Sequence, residues 1–391
     1  MTSGLARRIA FTLGALLVYR LGTYIPLSGI ARSSGQLSIF SLSIIPYLSA
    51  AIIIQLVSMV SSKLSTLARS GEAGRRRIAR YTLGIALFLT VFQAFGIASK
   101  LQDIPGIVSD SGGLFLLSTT VTLTGGTVFL IWLSEQITAR GIGNGLVLIL
   151  FAGVVTGLPQ TFASIAVLAQ QGELSGNQIA LRAVLWVAVV GLVVFVELAR
   201  RRVPVEFAAQ KLGDRLLPAR SSYLSLKLNS AGLMPTVVAP WLFFLPLMLA
   251  SFVFGSTAPW LTAALRQIEQ GHLGHMILSS IAIIIFAFIY TSFVVDPDHA
   301  ADSLKQLGGV IPGVAPGEPT AEHVDRVVSH TTVVGAVYLA AVFLIPQILL
   351  TYSRVPFYFG GGSALVVVCT VLDIETQVRG RSLTEPGGLY S

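Results

Sequence analysis

The chain alternates long apolar runs with short polar or charged intervals. Taking about twenty predominantly apolar residues as one crossing of the hydrocarbon core, the pattern predicts ten helices. They lie near 9–28, 40–61, 79–98, 114–133, 146–166, 179–198, 231–252, 276–295, 331–351 and 359–378. The first run lacks a small-residue cleavage site and reads as a retained span. One run differs from the rest: Ser38–Ser58, SIFSLSIIPYLSAAIIIQLVS, carries Pro46, Tyr47, Ser49 and Gln55. A proline removes a helical hydrogen bond, so a kink is expected at Pro46. The hydroxyl and amide groups need partners that lipid does not provide. This helix is therefore expected to face protein or water on one side.

Two of the intervals, 199–230 and 297–330, are much longer than most of the others. Long ordered loops tend to carry function, although a solvated connector is an equally simple explanation on charge alone. Ten crossings divide into five and five, at 1–172 and 173–391, and an odd number inverts the second half relative to the first. Inverted repeats with a path between them are common in transport proteins. No internal sequence repeat accompanies the division, so it rests on the count. The expected fold class is thus an all-α integral membrane protein of ten transmembrane helices in two inverted five-helix halves.

Composition agrees: of 391 residues, 53% are hydrophobic and 11% charged, against roughly 25% charged in soluble domains. The pI of about 9.8 raises nucleic acid as a partner, but the loops argue otherwise. With the N-terminus placed in the cytoplasm, twenty of the 26 basic residues fall inside; Arg32, Lys100, Arg182, Arg266 and Arg354 fall outside. Arg20 lies within the first span. That bias predicts cytoplasmic termini and accounts for the basic pI without DNA.

Candidate chemistry is sparse. No GxxxxGK[ST], HExxH or GxSxG motif is present, which argues against nucleotide hydrolysis, catalytic zinc and serine esterase chemistry by this chain. No cofactor is implied. RGIGNG at 140–145 follows no strand and reads as a tight interfacial turn, not a phosphate loop. His272 and His275 are expected in a solvated loop. Glu135, Glu197, Asp296 and Asp373 lie at span ends, where interfacial placement accounts for them. Arg20, about halfway along its expected helix, is expected to pair or snorkel within the protein. The single cysteine, Cys369, excludes an internal disulfide and reads as a small core residue.

Several segments together resemble the SecY family, the channel subunits of the bacterial Sec translocon. They are YRLGTYIP, SIFSLSIIPYLSAAIIIQL, GEAGRRRIARYT, WLSEQITARGIGNG, FAGVVTGLP, LKLNSAGLMP, IPGVAPGEPTAEHVDRV and VPFYFGG, in family order along nearly the whole chain. The resemblance implies a ten-helix channel whose halves hinge near the loop between spans five and six. Unfolded preproteins would cross through a central pore, and signal sequences or transmembrane segments would leave sideways into membrane lipid. By motif matching, Ile44, Leu48, Leu150, Val237 and Val366 look like the aliphatic ring that seals such a pore. Taken singly, each would read as packing or lipid-facing. Ser49, Gln93 and Asn229 match polar positions along the lateral exit. Arg200, Arg201, Arg202, Lys211 and Arg215 match loops that in the family dock the ribosome or the SecA motor. The implied partners are SecE and SecG, SecA, the ribosome and its nascent chain, in a bacterial cytoplasmic (inner) membrane.

The chain departs from the family pattern twice. Ala315 precedes Pro316 and Gly317 where the family usually has an arginine, whose bidentate pairing alanine cannot supply. Between Ile30 and Ser38 only ARSSGQL intervenes, where the family has a few dozen residues that include a plug helix. Seven residues span at most about 25 Å when extended, enough to join two helices but not to form a plug as well. A specialised accessory channel fits these departures. A secondary transporter for small solutes is the alternative from another class, though it needs converging charges at midplane that the spans lack beyond Arg20. A non-conducting membrane scaffold is a third.

Overall fold

The computed structural model describes residues 3–30, 37–102, 104, 107–108, 112–172, 175–207, 210–212, 215–217, 220–240, 267, 272–353 and 361–384. Seven helices precede the first strand: α1 (Ser3–Gly22), α2 (Ile45–Val60), α3 (Ser62–Arg69), α4 (Gly71–Gln102), α5 (Gly113–Arg140), α6 (Gly145–Gln170) and α7 (Gly176–Leu198). Strands β1 (Arg200–Phe207), β2 (Gln210–Leu212), β3 (Arg215–Leu217) and β4 (Arg220–Lys227) follow. Then come α8 (Leu273–Val294), α9 (Pro297–Gln306), β5 (Gly309–Val310), α10 (Glu318–Ser353) and α11 (Gly361–Thr384). Among the described residues seven helical segments are long and apolar enough to cross a membrane, and α2 holds a shorter apolar helix, Ile45–Ser58. Of the crossing expected at 231–252, residues 234–240 are helical and 241–252 lie outside the described residues.

The chain packs as two compact units, Met1–Ile165 with Thr370–Ser391, and Ala166–Cys369. In the first, α1 packs on α5, and α4 packs on both α2 and α5. The run that was expected to be one kinked helix is not helical before Ile45. Residues 38–44 form successive turns, and Pro46 occupies the first turn of α2. A proline there loses no hydrogen bond, because the first helical N–H groups have no partner in any case. Short polar side chains win over the helix just before it: the Ser38 amide donates to Ser41 Oγ at 2.8 Å and the Phe40 amide to Ser38 Oγ at 3.3 Å.

This non-helical stretch is pinned to the end of α1 and sunk into the first unit. Leu27 N donates to Leu37 O at 3.0 Å and Ile39 N to Ile25 O at 3.1 Å. Ser38, Phe40, Leu42 and Ile44 are buried in alternation. Phe40 stacks between Tyr19 and Phe129, with ring centroids 5.8 and 5.9 Å away. Leu42 joins Leu27, Ala94 and Leu123 in one apolar cluster. Gly126 of α5 makes the approach possible, since a Cβ there would collide with the carbonyl oxygen of Ile39. Because α1 ends at Gly22, Arg20 lies in its last turn and not halfway along a span. Its guanidinium donates to Tyr24 Oη at 2.6 Å and sits 4.6 Å from the centre of that ring, a pairing within one helix end.

The 140–145 segment is a turn, as expected, with Gly143 at φ +84°. It ties four helices. Ile142 N donates to Thr12 Oγ1 of α1 at 3.0 Å, Gly145 N to Thr138 Oγ1 of α5 at 2.9 Å and Gly143 N to Gln377 Oε1 of α11 at 2.9 Å. Backbone groups between α5 and α6 are thus satisfied by side chains.

In the second unit α10 packs on α8 and α9. The two long intervals fold together. β1 pairs antiparallel with β4 from Arg200↔Lys227 to Phe207↔Arg220, and its far end pairs with β5 through Glu206↔Val310 and Phe207↔Gly309. Val203 and Val205 point inward onto Leu304 of α9, Ile311, and Val324 and Val328 of α10. The expected solvated loop at His272 and His275 is also replaced, because α8 begins at Leu273. His272 is its N-cap residue, and His275 is buried with its ring 6.3 Å from that of Phe343.

Overpacking a tight contact typically costs about 1–3 kcal/mol. Gly126→Val is therefore expected to lower the thermal midpoint of the purified protein and to expose residues 38–44 to protease, whereas the neighbouring Gly125→Val, on an exposed position, should leave both unchanged.

Candidate functional site

The residues singled out in the sequence divide between the two units. The first holds Ile44, Leu48 and Ser49 at the start of α2, Gln93 on α4 and Leu150 on α6. Ile44 is fully buried, and Leu48, Ser49 and Gln93 are buried as well, while Leu150 is half-buried. Two polar side chains buried where α2 packs against α4 are costly unless satisfied, so Ser49 and Gln93 are not incidental surface residues. Burial alternates from Ser38 to Leu48, so Ile44 and Leu48 are buried as Phe40 and Leu42 are before them.

The second unit holds Asn229, Val237 and Val366. Val366 is buried on α11 and Val237 half-buried in the helical segment 234–240. Asn229 is at the centre of a polar hub. Its Nδ2 donates to Glu197 Oε1 at 2.7 Å and to Gly232 O at 3.1 Å, and its Oδ1 accepts from Gly232 N at 3.1 Å. Tyr338 Oη of α10 donates to the same Glu197 oxygen at 3.5 Å. Gly335, one turn before Tyr338, leaves room for the backbone of Leu228 and Asn229. One asparagine therefore links the end of α7, the start of the next helix and α10. A charge-assisted bond to a carboxylate is among the stronger hydrogen bonds available to it.

Glu197 is the residue that sequence reasoning missed. A carboxylate at the end of an apolar run looks like an interfacial group, and nothing local marks its partner, 32 positions further along. The other span-end acids are ordinary. Asp296 caps α9 by accepting from His299 N at 3.1 Å, and Asp373 accepts from Gln377 Nε2 at 3.2 Å.

The basic residues expected to dock a partner lie on the small β assembly. Arg200, Arg201 and Arg202 are exposed at the start of β1, directly after α7. Lys211 and Arg215 lie on the β2–β3 hairpin, where Lys211 faces Leu216 and Arg215 faces Leu212 in register. Ala315 is exposed in the turn after β5, with Gly317 at φ +101° and its own carbonyl accepting from Thr320 Oγ1 at 2.8 Å. The β1–β5 pairing brings that turn and the first hairpin into one body. No group of three or more histidine, cysteine, aspartate or glutamate residues that could hold a metal occurs among the described residues.

The SecY family model matches residues 38–375. The protein translocase subunit SecY of Escherichia coli K12 is 41% identical over 403 residues, covering 96% of this chain and 91% of that protein. Its counterpart from Vibrio cholerae is 40% identical over 407 residues, with the same coverage. Among solved structures, a protein-conducting channel superposes with a TM-score of 0.70 at 18% identity, covering 99% of this chain and 95% of that one. Sec61 in the canine ribosome–channel complex from the endoplasmic reticulum gives 0.68 at 17% identity, over 99% and 95%. At those identities the likeness is one of fold, the ten-helix channel fold.

Removing a partner from a buried hydrogen-bonded group costs about 1–3 kcal/mol. Asn229→Ala is expected to speed hydrogen exchange at the Gly232 amide by roughly tenfold or more, read by mass spectrometry on peptides covering 229–236. Glu197→Leu should do so as well, and Glu197→Gln, which keeps an acceptor, should do so less.

Proposed function

This chain belongs to the SecY family, and we propose that it is the channel subunit of a protein translocase, passing unfolded preproteins across a membrane and releasing transmembrane segments sideways into lipid. The observation that carries this reading is its 41% identity to a translocase channel subunit along 96% of its length. We place it in a bacterial inner membrane with both termini in the cytoplasm, as the basic residues of its loops favour.

The channel work falls to side chains that share no catalytic chemistry, and in this reading the protein is not an enzyme. A passage for unfolded chains must admit every side chain while excluding ions, which a polar filter cannot do. Flexible aliphatics do both by closing an unwetted constriction. We assign that ring to Ile44, Leu48, Leu150, Val237 and Val366, drawn from the halves 1–172 and 173–391. The buried polar residues Ser49, Gln93 and Asn229 are assigned to the lateral exit. Hydrogen bonds of about 1 kcal/mol each can latch such a seam without locking it. For Asn229 the hub with Glu197 and Tyr338 supplies a mechanism: it fixes the start of the seventh span to α7 and α10, so that span moves only by giving up or carrying those bonds.

Arg200, Arg201, Arg202, Lys211 and Arg215, with the turn at Ala315, form the docking side for SecA or a ribosome carrying a nascent chain. Ribosome-bound channels among the fold relatives agree with that role. SecE- and SecG-like subunits complete the complex. One fold relative has a plug domain that stabilises the closed channel and maintains a membrane seal. Here only Ala31–Leu37 joins Ile30 to Ser38, and of these 31–36 lie outside the described residues. We assign the seal chiefly to the aliphatic ring.

The reading is tested in proteoliposomes holding the complex. Signal-dependent import of a preprotein is expected and uptake of labelled small solutes is not; the reverse result would favour a transporter. In planar bilayers the resting channel should conduct almost no ions, and Leu48→Asn with Leu150→Asn should open a persistent leak; no leak would remove the ring assignment. Ala315→Arg restores a bidentate donor and is expected to raise SecA-driven translocation severalfold.

A further inference from the structure

Three side chains of the first unit hold the turn between α5 and α6. Thr12 Oγ1 of α1 accepts from Ile142 N at 3.0 Å, and Thr138 Oγ1 of α5 accepts from Gly145 N at 2.9 Å. The third comes from 234 positions away, where Gln377 Oε1 of α11 accepts from Gly143 N at 2.9 Å. Its two partners fix how that carboxamide is turned. A backbone N–H only donates and an ionised carboxylate only accepts, so the oxygen faces Gly143 and the nitrogen faces Asp373 Oδ2, 3.2 Å away and one turn earlier on α11. Ile374 packs beside this bond, since a Cβ on Gly143 would lie 3.8 Å from its Cγ1.

α11 is one unbroken helix from Gly361 to Thr384, yet its residues up to Cys369 belong to the second unit and those from Thr370 to the first. Val366, assigned to the ring, lies one turn before that change, and Gln377 lies two turns after it. Sharp bends in a helix need proline, glycine or a group inserted into the hydrogen-bond ladder. From Ala364 to Arg379 the sequence has neither proline nor glycine. The segment is therefore a stiff rod, about 16 Å from Val366 to Gln377. Tilting such a rod by about 10° about Gln377 moves Val366 by about 3 Å, enough to take an aliphatic side chain out of van der Waals contact.

We propose that Gln377 is a positioning residue of the channel: its carboxamide pins one end of α11 to the α5–α6 turn, and α11 tilts about that pin as a rigid rod when the channel opens, carrying Val366 out of the ring. The proposal rests on the channel reading above. A hydrogen bond keeps most of its strength over roughly 30° of angle but over only about half an ångström of length, so the bond to Gly143 permits tilt and resists withdrawal. The same turn starts α6, on which Leu150 lies five residues past Gly145. One anchor thus serves a ring residue that stays and a ring residue that moves.

The test uses the full-length chain with its associated subunits in lipid nanodiscs, spin-labelled in pairs, with Cys369→Ala leaving no other thiol on the chain. Ala139→Cys with Gly380→Cys reports the pinned end of α11, and Ala139→Cys with Gly362→Cys the other end; a side chain at either glycine meets nothing within 4 Å. Distances are read by double electron–electron resonance in the empty channel and with a preprotein arrested in passage. The 139–380 distance is expected to stay the same and the 139–362 distance to change. Gln377→Leu should let both change, raise the resting ion leak severalfold in planar bilayers and speed hydrogen exchange at the Gly143 amide roughly fivefold. Asp373→Asn with Gln377→Glu swaps donor and acceptor along α11, still offers Gly143 an oxygen, and is expected to restore all three readouts. Equal changes of both distances in the wild type, no change in either, or Gln377→Leu distances that match the wild type would overturn the pivot. So would a Gln377→Leu protein that only loses thermal stability, or a swapped pair that fails to restore the leak. Failure to arrest any preprotein would overturn the channel reading and the pivot with it, while exchange at Gly143 would still show whether Gln377 pins the turn.

Discussion

The structure depends on one constraint of its solvent: inside hydrocarbon, every backbone N–H and C=O must be satisfied by protein. Helices meet it internally. Residues 38–44 do not form a helix, so they are possible only because the first unit encloses them. Ile25 O and the serine hydroxyls accept from their amides, Phe40 is held in an aromatic stack, and Gly126 yields the space a side chain would have filled. Irregular backbone in a membrane protein is acceptable where it is buried in protein. Ile44 and Leu48, the residues assigned to the seal, are therefore carried on a segment whose position is fixed before α2 begins.

The same constraint explains the hub in the second unit. The chain must re-enter the apolar layer after β4, and it does so at Asn229, whose side chain satisfies the Gly232 amide and carbonyl while Glu197 takes its remaining donor. A buried network of this type is stable only when each member is paired. It holds together three elements that would otherwise meet through apolar contacts alone, and apolar contacts in lipid give little directional preference.

The sequence showed the number of crossings, the membrane class and the family, because hydropathy over twenty residues reports solvent, and eight signature segments in order leave few other families. The resemblance also singled out Asn229, Gln93 and Ser49, and all three are buried polar residues. The sequence misjudged Pro46. A window average cannot tell a proline inside a helix from one in its first turn, although serines at 38, 41 and 43 were the local sign that a helix had not yet started. Arg20 and His275 were misplaced for the same reason, since each lies within a few residues of a boundary that hydropathy blurs. Glu197 and the β1–β5 pairing were not legible at all. Both depend on contacts between segments distant in sequence, and neither leaves a local pattern. The interval 297–330 looked like a glycine- and proline-rich connector, yet it supplies a capped helix, a strand and the first turns of α10.

The strand pairs Glu206↔Val310 and Phe207↔Gly309 have a mechanical consequence. They join two loops of separate sequence origin in shear, with hydrogen bonds lying across the direction of a pull along β1. A load applied to the exposed turn at Ala315 passes through two residues of β5 into β1, and along β1 to Ala199 and the end of α7, where Glu197 holds Asn229. The β assembly is in this sense a lever whose short arm ends at the hub, so that a push on the surface loops arrives at the start of the seventh span both through β4, which runs into Asn229, and through the Glu197 carboxylate.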